Sequence, residues 1–142
     1  MLRALLNRKL GQGDSAQITV DQARTITELS ANNGAAIKDI SGLEAFTSLT
    51  KLSLGNRSVT NLKPLASLTK LTFLELQGNQ ITDVMPLANL KNLAHLNLSG
   101  NQNLGDVALQ TVKELKHLHD LYISETGIKD LAQLKICCGS RG

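Results

Sequence analysis

The feature that most constrains this chain is a repeat. Leu49, Leu52, Leu54, Val59, Leu62, Leu65 and Leu68 are matched 22 positions on by Leu71, Leu74, Leu76, Ile81, Val84, Leu87 and Leu90. A second step of 22 gives Leu93, Leu96 and Leu98, and then the register slips. The next unit starts at Leu118, 25 residues on, and continues through Leu121, Ile123, Ile128, Leu131 and Leu134 to Cys137. A degenerate copy precedes them: Ile26, Leu29, Ala31, Ile37, Ile40, Leu43 and Phe46. A unit this short cannot bury its own apolar face, so about five such units must stack and share one core.

Each unit has two halves. The first alternates apolar and polar residues with period two, which predicts a short strand whose leucines point one way. The second spaces its apolar residues by three, which fits a tight helical turn. Pro64 and Pro86 recur 22 apart in that half. A proline there removes one backbone donor and suits a short turn rather than a long helix. Strands of successive units then pair in parallel. The fourth unit carries three additional residues after Asn101, where Val107 or Ala108, Val112 and Leu115 fall at helical spacing with Asp106 available as a cap.

Composition narrows the class. Aromatic residues are only 2% of the chain, so the core must be aliphatic. The net charge of +3 is scattered, with no clustered basic face of the kind nucleic acid requires. No apolar run has the length of a membrane span. The opening MLRALLNRKL carries charges inside its apolar stretch and no small-residue cleavage site, so it does not read as a signal peptide. The two cysteines, Cys137 and Cys138, are adjacent and say nothing about compartment.

The copies LTKLSLGNRSVTNLKPLASLTK and LTFLELQGNQITDVMPLANLKN resemble bacterial leucine-rich repeats of the internalin type. The marks are the 22-residue length, Asn79 and Asn101, and the pairs Pro64-Leu65 and Pro86-Leu87. The resemblance runs from about Ile26 to Cys137. It implies an α/β fold: a right-handed leucine-rich-repeat solenoid with a concave parallel β-sheet, short helical turns on the convex side and an N-terminal helical cap. It also implies that Asn79 and Asn101 form a structural ladder, hydrogen-bonded to backbone in the turn after each strand. Arg57 and Thr126 occupy the same slot, so the ladder is expected to break in those two units.

The domain divides into an N-terminal helical cap over residues 1–25, the solenoid over 26–138 and a disordered tail over 139–142, all one continuous domain. Leu2, Leu5, Leu6 and Leu10 fall at helical spacing, with Gly11 and Gly13 past the helix end. Thr19 and Gln22 form a capping-box pattern that opens a second helix, Val20 to about Ile26. At the other end no apolar cap follows Cys137, which leaves the last strand's edge open to self-association.

Chemistry is sparse. Gly11-Gln12-Gly13-Asp14-Ser15 follows a helix and lacks the lysine of a phosphate loop. No serine sits in a nucleophile elbow, and no cofactor is implied. His95 and Asp120 fall at equivalent places in neighbouring strands, but a metal centre needs three convergent ligands. The sequence therefore assigns no catalytic and no metal residues.

Strand residues between the leucines face the concave side and stack into columns. The first column reads Glu28, Lys51, Phe73, His95 and Asp120. The second reads Ser30, Ser53, Glu75, Asn97 and Tyr122. The third reads Asn32, Gly55, Gln77, Ser99 and Ser124. Of the three aromatic residues, Phe46 takes a core slot while Phe73 and Tyr122 point outward. The expected protein-binding face is therefore Phe73 and Tyr122 as anchors, framed by Glu75, His95, Asn97 and Asp120, with Lys51 and Gln77 beside them. The resemblance implies a secreted or cell-surface recognition protein; the sequence leaves a cytoplasmic location open. Other readings are a structural spacer or truncated fragment of a larger bacterial surface protein, an intracellular regulatory subunit that docks on another enzyme, and an enzyme using His95 and Asp120.

Overall fold

The computed structural model describes residues 2–13 and 15–130, together with the backbone of 140–141. Six short strands stand side by side in chain order in one parallel sheet. They are β1 (Glu28–Ser30), β2 (Lys51–Ser53), β3 (Phe73–Glu75), β4 (His95–Asn97), β5 (Asp120–Tyr122) and β6 (Ser140–Arg141). The register aligns Leu29, Leu52, Leu74, Leu96 and Leu121. That register is dictated by burial, because a slip of one residue would turn every leucine out to solvent.

The return segments are 3-10 turns at Leu43–Ala45, Lys63–Leu65 and Met85–Asn89. Pro64 and Pro86 lie in the first turn of theirs, where a missing backbone donor costs nothing. Between β4 and β5, three extra residues give a true helix, α3 (Ala108–Val112). Its inward side is Ala108, Leu109 and Val112, while Val107 is 80% exposed. Asp106 does not cap α3. Its carboxylate Oδ1 instead accepts from the backbone N–H of Lys129 (2.7 Å) and Asp130 (3.1 Å) in the following unit.

One apolar cluster runs from Leu2 to Ile123, and its central leucines are fully buried. Each contributes about 1.5–3 kcal/mol, and none of this is available to an isolated unit. The helical cap, written here α1 (Leu2–Lys9) and α2 (Val20–Ala23), closes one end with Leu2, Leu6 and Ala23. The Thr19–Gln22 capping box is formed in both directions. α2 ends at Ala23 rather than Ile26, because the Thr25 hydroxyl donates to Gln22 O (2.7 Å) and Ile26 drops into the core. Gly11 follows α1 at φ +68°, a conformation that favours glycine. A polar tie missed in the sequence joins the cap. Buried Asn7 donates to Ala16 O and accepts from Gln12, which in turn accepts from Gln22.

Buried Asn79 locks two units together. Its Nδ2 donates to Leu54 O (2.9 Å) and Leu76 O (2.8 Å), and its Oδ1 accepts from Arg57 N and Val59 N (3.0 Å each). Asn101 repeats this one unit later on Leu76 O, Leu98 O and Ile81 N. The expected break at Arg57 does not occur. Its guanidinium Nε donates to Ala31 O, the counterpart of Leu54 O, and Nη1 donates to Ala35 O (2.8 Å). Gly34 makes room for it, since a Cβ there would lie 2.4 Å from Arg57 Nη1. Thr126 continues the ladder in part. Its hydroxyl donates to Ile123 O (2.7 Å) and accepts from Ile128 N (3.3 Å), both within its own unit. The short side chain does not span to Leu98 O as an asparagine would.

A second column runs beside the ladder. Asn33, Asn56, Gly78, Gly100 and Glu125 all have positive φ at the exit of their strands. At Gly78, φ +65°, a Cβ would lie 1.9 Å from Asn56 Oδ1, so the Asn56 side chain would have to shift.

Ser140–Arg141 forms β6 and pairs with Leu121 and Tyr122 of β5. An open parallel edge offers unpaired N–H and C=O groups to any extended segment that reaches it. The uncapped edge expected at β5 is thus covered by the chain's own backbone. The expected core residues Leu131, Leu134 and Cys137 lie outside the described residues.

Two outcomes follow from these contacts. Asn79→Ala strands four buried backbone groups, so chemical denaturation should show a loss of about 3 kcal/mol; a change within about 0.5 kcal/mol would contradict the ladder. The Asp106 carboxyl is held below its ordinary value of 3.8 by the backbone N–H groups of Asp130 and Lys129. Its contribution is therefore present above pH 3.8 and lost as pH falls through the lower folded value. Hydrogen exchange should show the Lys129 and Asp130 amides protected in wild type at neutral pH and losing protection in acid. In Asp106→Ala the Lys129 amide should be unprotected at both; equal protection in the two proteins would refute the contact.

Candidate functional site

The parallel register brings the outward side chains of β3, β4 and β5 together. Phe73 and His95 are direct partners on neighbouring strands, as are His95 and Asp120. The Phe73 and His95 rings stack, with centroids 4.1 Å apart and planes 11° from parallel. Strand spacing of about 4.8 Å leaves planar side chains at paired positions little other choice. Tyr122, one strand on and in the second column, tilts against His95 at 5.4 Å and 44°. The result is a ledge of three rings, each partly exposed.

Carboxylates flank the ledge at both edges of the imidazole. Glu75 Oε1 is 3.9 Å from His95 Nε2, and Asp120 Oδ2 is 3.7 Å from His95 Nδ1. Both distances permit ion pairing but exceed a hydrogen bond, and Nε2 is buried without a partner. Glu75 is held in place from behind. The Ser53 hydroxyl donates to Glu75 Oε2 (2.6 Å) and accepts from Asn32 Nδ2 (2.7 Å), and Asn32 Oδ1 accepts from Gly55 N (2.5 Å).

The remaining expected residues are placed as follows. Asn97 Oδ1 accepts from Ser99 N (3.1 Å) beside Tyr122. Gln77 lies over Gly55, where a Cβ would come within 2.7 Å of its Nε2. Lys51 is the cross-strand neighbour of Phe73 at the β2 edge of the ledge and pairs with Glu28 at 3.2 Å. These two, with Lys9 of α1, Phe73 and Glu75, line a shallow cavity of about 270 Å³ over β1 and β2. Asn79 and Asn101 are buried in the ladder behind the sheet and take no part in this face. Sequence reasoning overlooked Ser53 and Asn32. The available signal was a run of small polar residues one strand before Glu75, too short to hold it unless they hydrogen-bond laterally.

The arrangement limits the chemistry. The two carboxylates address opposite nitrogens of one imidazole, so they cannot converge with it on a single ion. Among the described residues no group of three His, Cys, Asp or Glu side chains could hold a metal. His95 and Asp120 resemble two members of a triad, yet His95 Nε2 faces Glu75 rather than a hydroxyl. What the face does offer is flat aromatic area edged with negative charge.

Comparison with known proteins agrees with this architecture. Residues 69–111 match the family model described as leucine-rich repeats in two copies. No curated protein sequence matches the chain. Solved structures do. The crystal structure of an internalin, inlF, from Listeria monocytogenes superposes with a TM-score of 0.78 at 27% identity, over 93% of this chain and 45% of that one. Internalin C2, inlC2, from the same organism superposes with a TM-score of 0.58 at 28% identity, over 94% of this chain and 77% of that one. The chain thus spans less than half the length of the first of these relatives.

His95 carries the ledge, and the chain has one tyrosine and no tryptophan. His95→Ala should therefore change Tyr122 emission and cost about 1–2 kcal/mol from two lost ring contacts. Unchanged emission in a folded variant would show that the rings are not in contact.

Proposed function

We propose that this chain, a leucine-rich-repeat solenoid of the bacterial internalin type, binds a protein partner through its concave sheet, with Phe73, His95 and Tyr122 as anchors. The observation that carries this reading is the three-ring ledge. Aromatic residues make up 2% of the chain, and two of the three stand on this one face, stacked through His95. Partly exposed aromatic area costs solubility and is favoured where a partner will cover it. Glu75, Asn97, Asp120 and Gln77 form a polar frame around it, as expected of an interface rim. Lys51 belongs to the periphery, since Glu28 already pairs with it.

The role is binding rather than catalysis. A spacer with no ligand has no use for a ledge whose carboxylate is positioned by Ser53 and Asn32. By likeness to the internalins the protein acts as a protein-interaction module.

The test is affinity capture from cell extract, read by mass spectrometry, with wild type and the Phe73→Ala, Tyr122→Ala double variant as baits, both shown folded by circular dichroism. A partner held by wild type should fall at least about tenfold with the variant, the loss expected on removing two anchor side chains. Equal capture by both baits would place binding elsewhere and return the concave face to a structural role.

A further inference from the structure

We infer that the side chain recognised at the ledge is cationic, a lysine or arginine of the partner laid over the Phe73–His95–Tyr122 rings between Glu75 and Asp120. The inference rests on the concave-face reading above and specifies its chemistry.

Charge is distributed unevenly over β1–β5. At the β1–β2 end Lys51, the cross-strand neighbour of Phe73, is paired with Glu28, and with Lys9 it lines a cavity that Phe73 and Glu75 border. Around the ledge, the charged side chains that β3–β5 contribute are Glu75 and Asp120. This acidic end belongs to a protein whose net charge is +3, so the local sign opposes the global one. A guanidinium or ammonium is attracted to the faces of aromatic rings, and more strongly where carboxylates stand at the ring edges. Asp120, 3.7 Å from His95 Nδ1, is half exposed, with a side-chain exposure of 54%, and so is open to a ligand. Glu75 is more buried at 24% and is fixed through Oε2 by Ser53, which leaves Oε1 directed at the ledge. A planar guanidinium stacked on Tyr122 or His95 can reach a carboxylate on either side.

An acidic or purely apolar partner fits less well. An acidic group would be repelled by both carboxylates. An apolar one would strip water from Glu75 and Asp120 without replacing their hydrogen bonds.

Tyr122 is the chain's single tyrosine and there is no tryptophan, so intrinsic fluorescence reports on the ledge directly. The probes are a soluble hexapeptide alternating glycine and arginine, its citrulline counterpart, which keeps shape and loses charge, and a counterpart bearing leucine. Titrated into the full chain, the arginine peptide should change Tyr122 emission saturably, with affinity at least about tenfold above the citrulline peptide. Glu75→Gln with Asp120→Asn should abolish that preference. Lys51→Ala, which removes the cation beside Phe73, should tighten binding severalfold, a gain that loss of folding cannot produce. Equal responses to arginine and citrulline peptides, or a preference surviving in the double variant, would overturn the cationic assignment. If the leucine peptide alone binds and Phe73→Ala abolishes it, the concave face remains the binding site and only the cationic claim falls. If no peptide alters emission while the captured partner is still lost with the ring variants, the same conclusion holds.

Discussion

Everything in this structure depends on the lateral bond between neighbouring units. No unit has a core of its own, and each leucine row is closed only by the rows above and below it. The hydrophobic effect alone would let units slide or rotate against each other. Asn79 and Asn101 prevent this by joining carbonyls of adjacent turns and by receiving N–H groups in return. Because buried backbone groups must be satisfied, this ladder converts greasy stacking into a fixed register. The concave columns inherit that register, and with it the contact between Phe73 and His95.

The solution at Arg57 shows that the constraint is on the hydrogen bonds rather than on the residue type. An arginine reaches the carbonyl that asparagine serves elsewhere, provided the unit before it has glycine at position 34 to vacate the space. Threonine at 126 satisfies its own turn but not the bridge to the unit before. There the bridge is supplied by other groups: the Ser124 hydroxyl donates to Ser99 Oγ, and Asp106 accepts from the amides of Lys129 and Asp130.

Much of this was legible in the sequence because the repeat period determines the columns. Once Leu52, Leu74, Leu96 and Leu121 are aligned, Phe73, His95 and Asp120 must be neighbours, and so must Glu75, Asn97 and Tyr122. What the period does not carry is side-chain reach. The persistence of the ladder at Arg57 depends on a guanidinium extending beyond its slot. The pattern offers Asp106 as a cap for α3 because acids precede helices, but its carboxylate accepts from the amides of Lys129 and Asp130 in the next unit. The Ser53–Asn32 support under Glu75 depends on hydroxyl orientation, which no pattern records. β6 lay beyond the recognisable repeat, and the backbone demand of an open edge supplied what the apolar pattern did not.

The central claim is that stacking in this register assembles a ledge from residues of three different units. The aromatic proton spectrum tests it directly, since the chain has two phenylalanines, one tyrosine and three histidines to assign. Nuclear Overhauser spectra should show cross-peaks between the Phe73 ring and the His95 imidazole, and weaker ones between His95 and Tyr122. A Phe73 ring that gives no cross-peak to His95 would mean that β3 and β4 do not pair as described, and the face proposed for recognition would not exist.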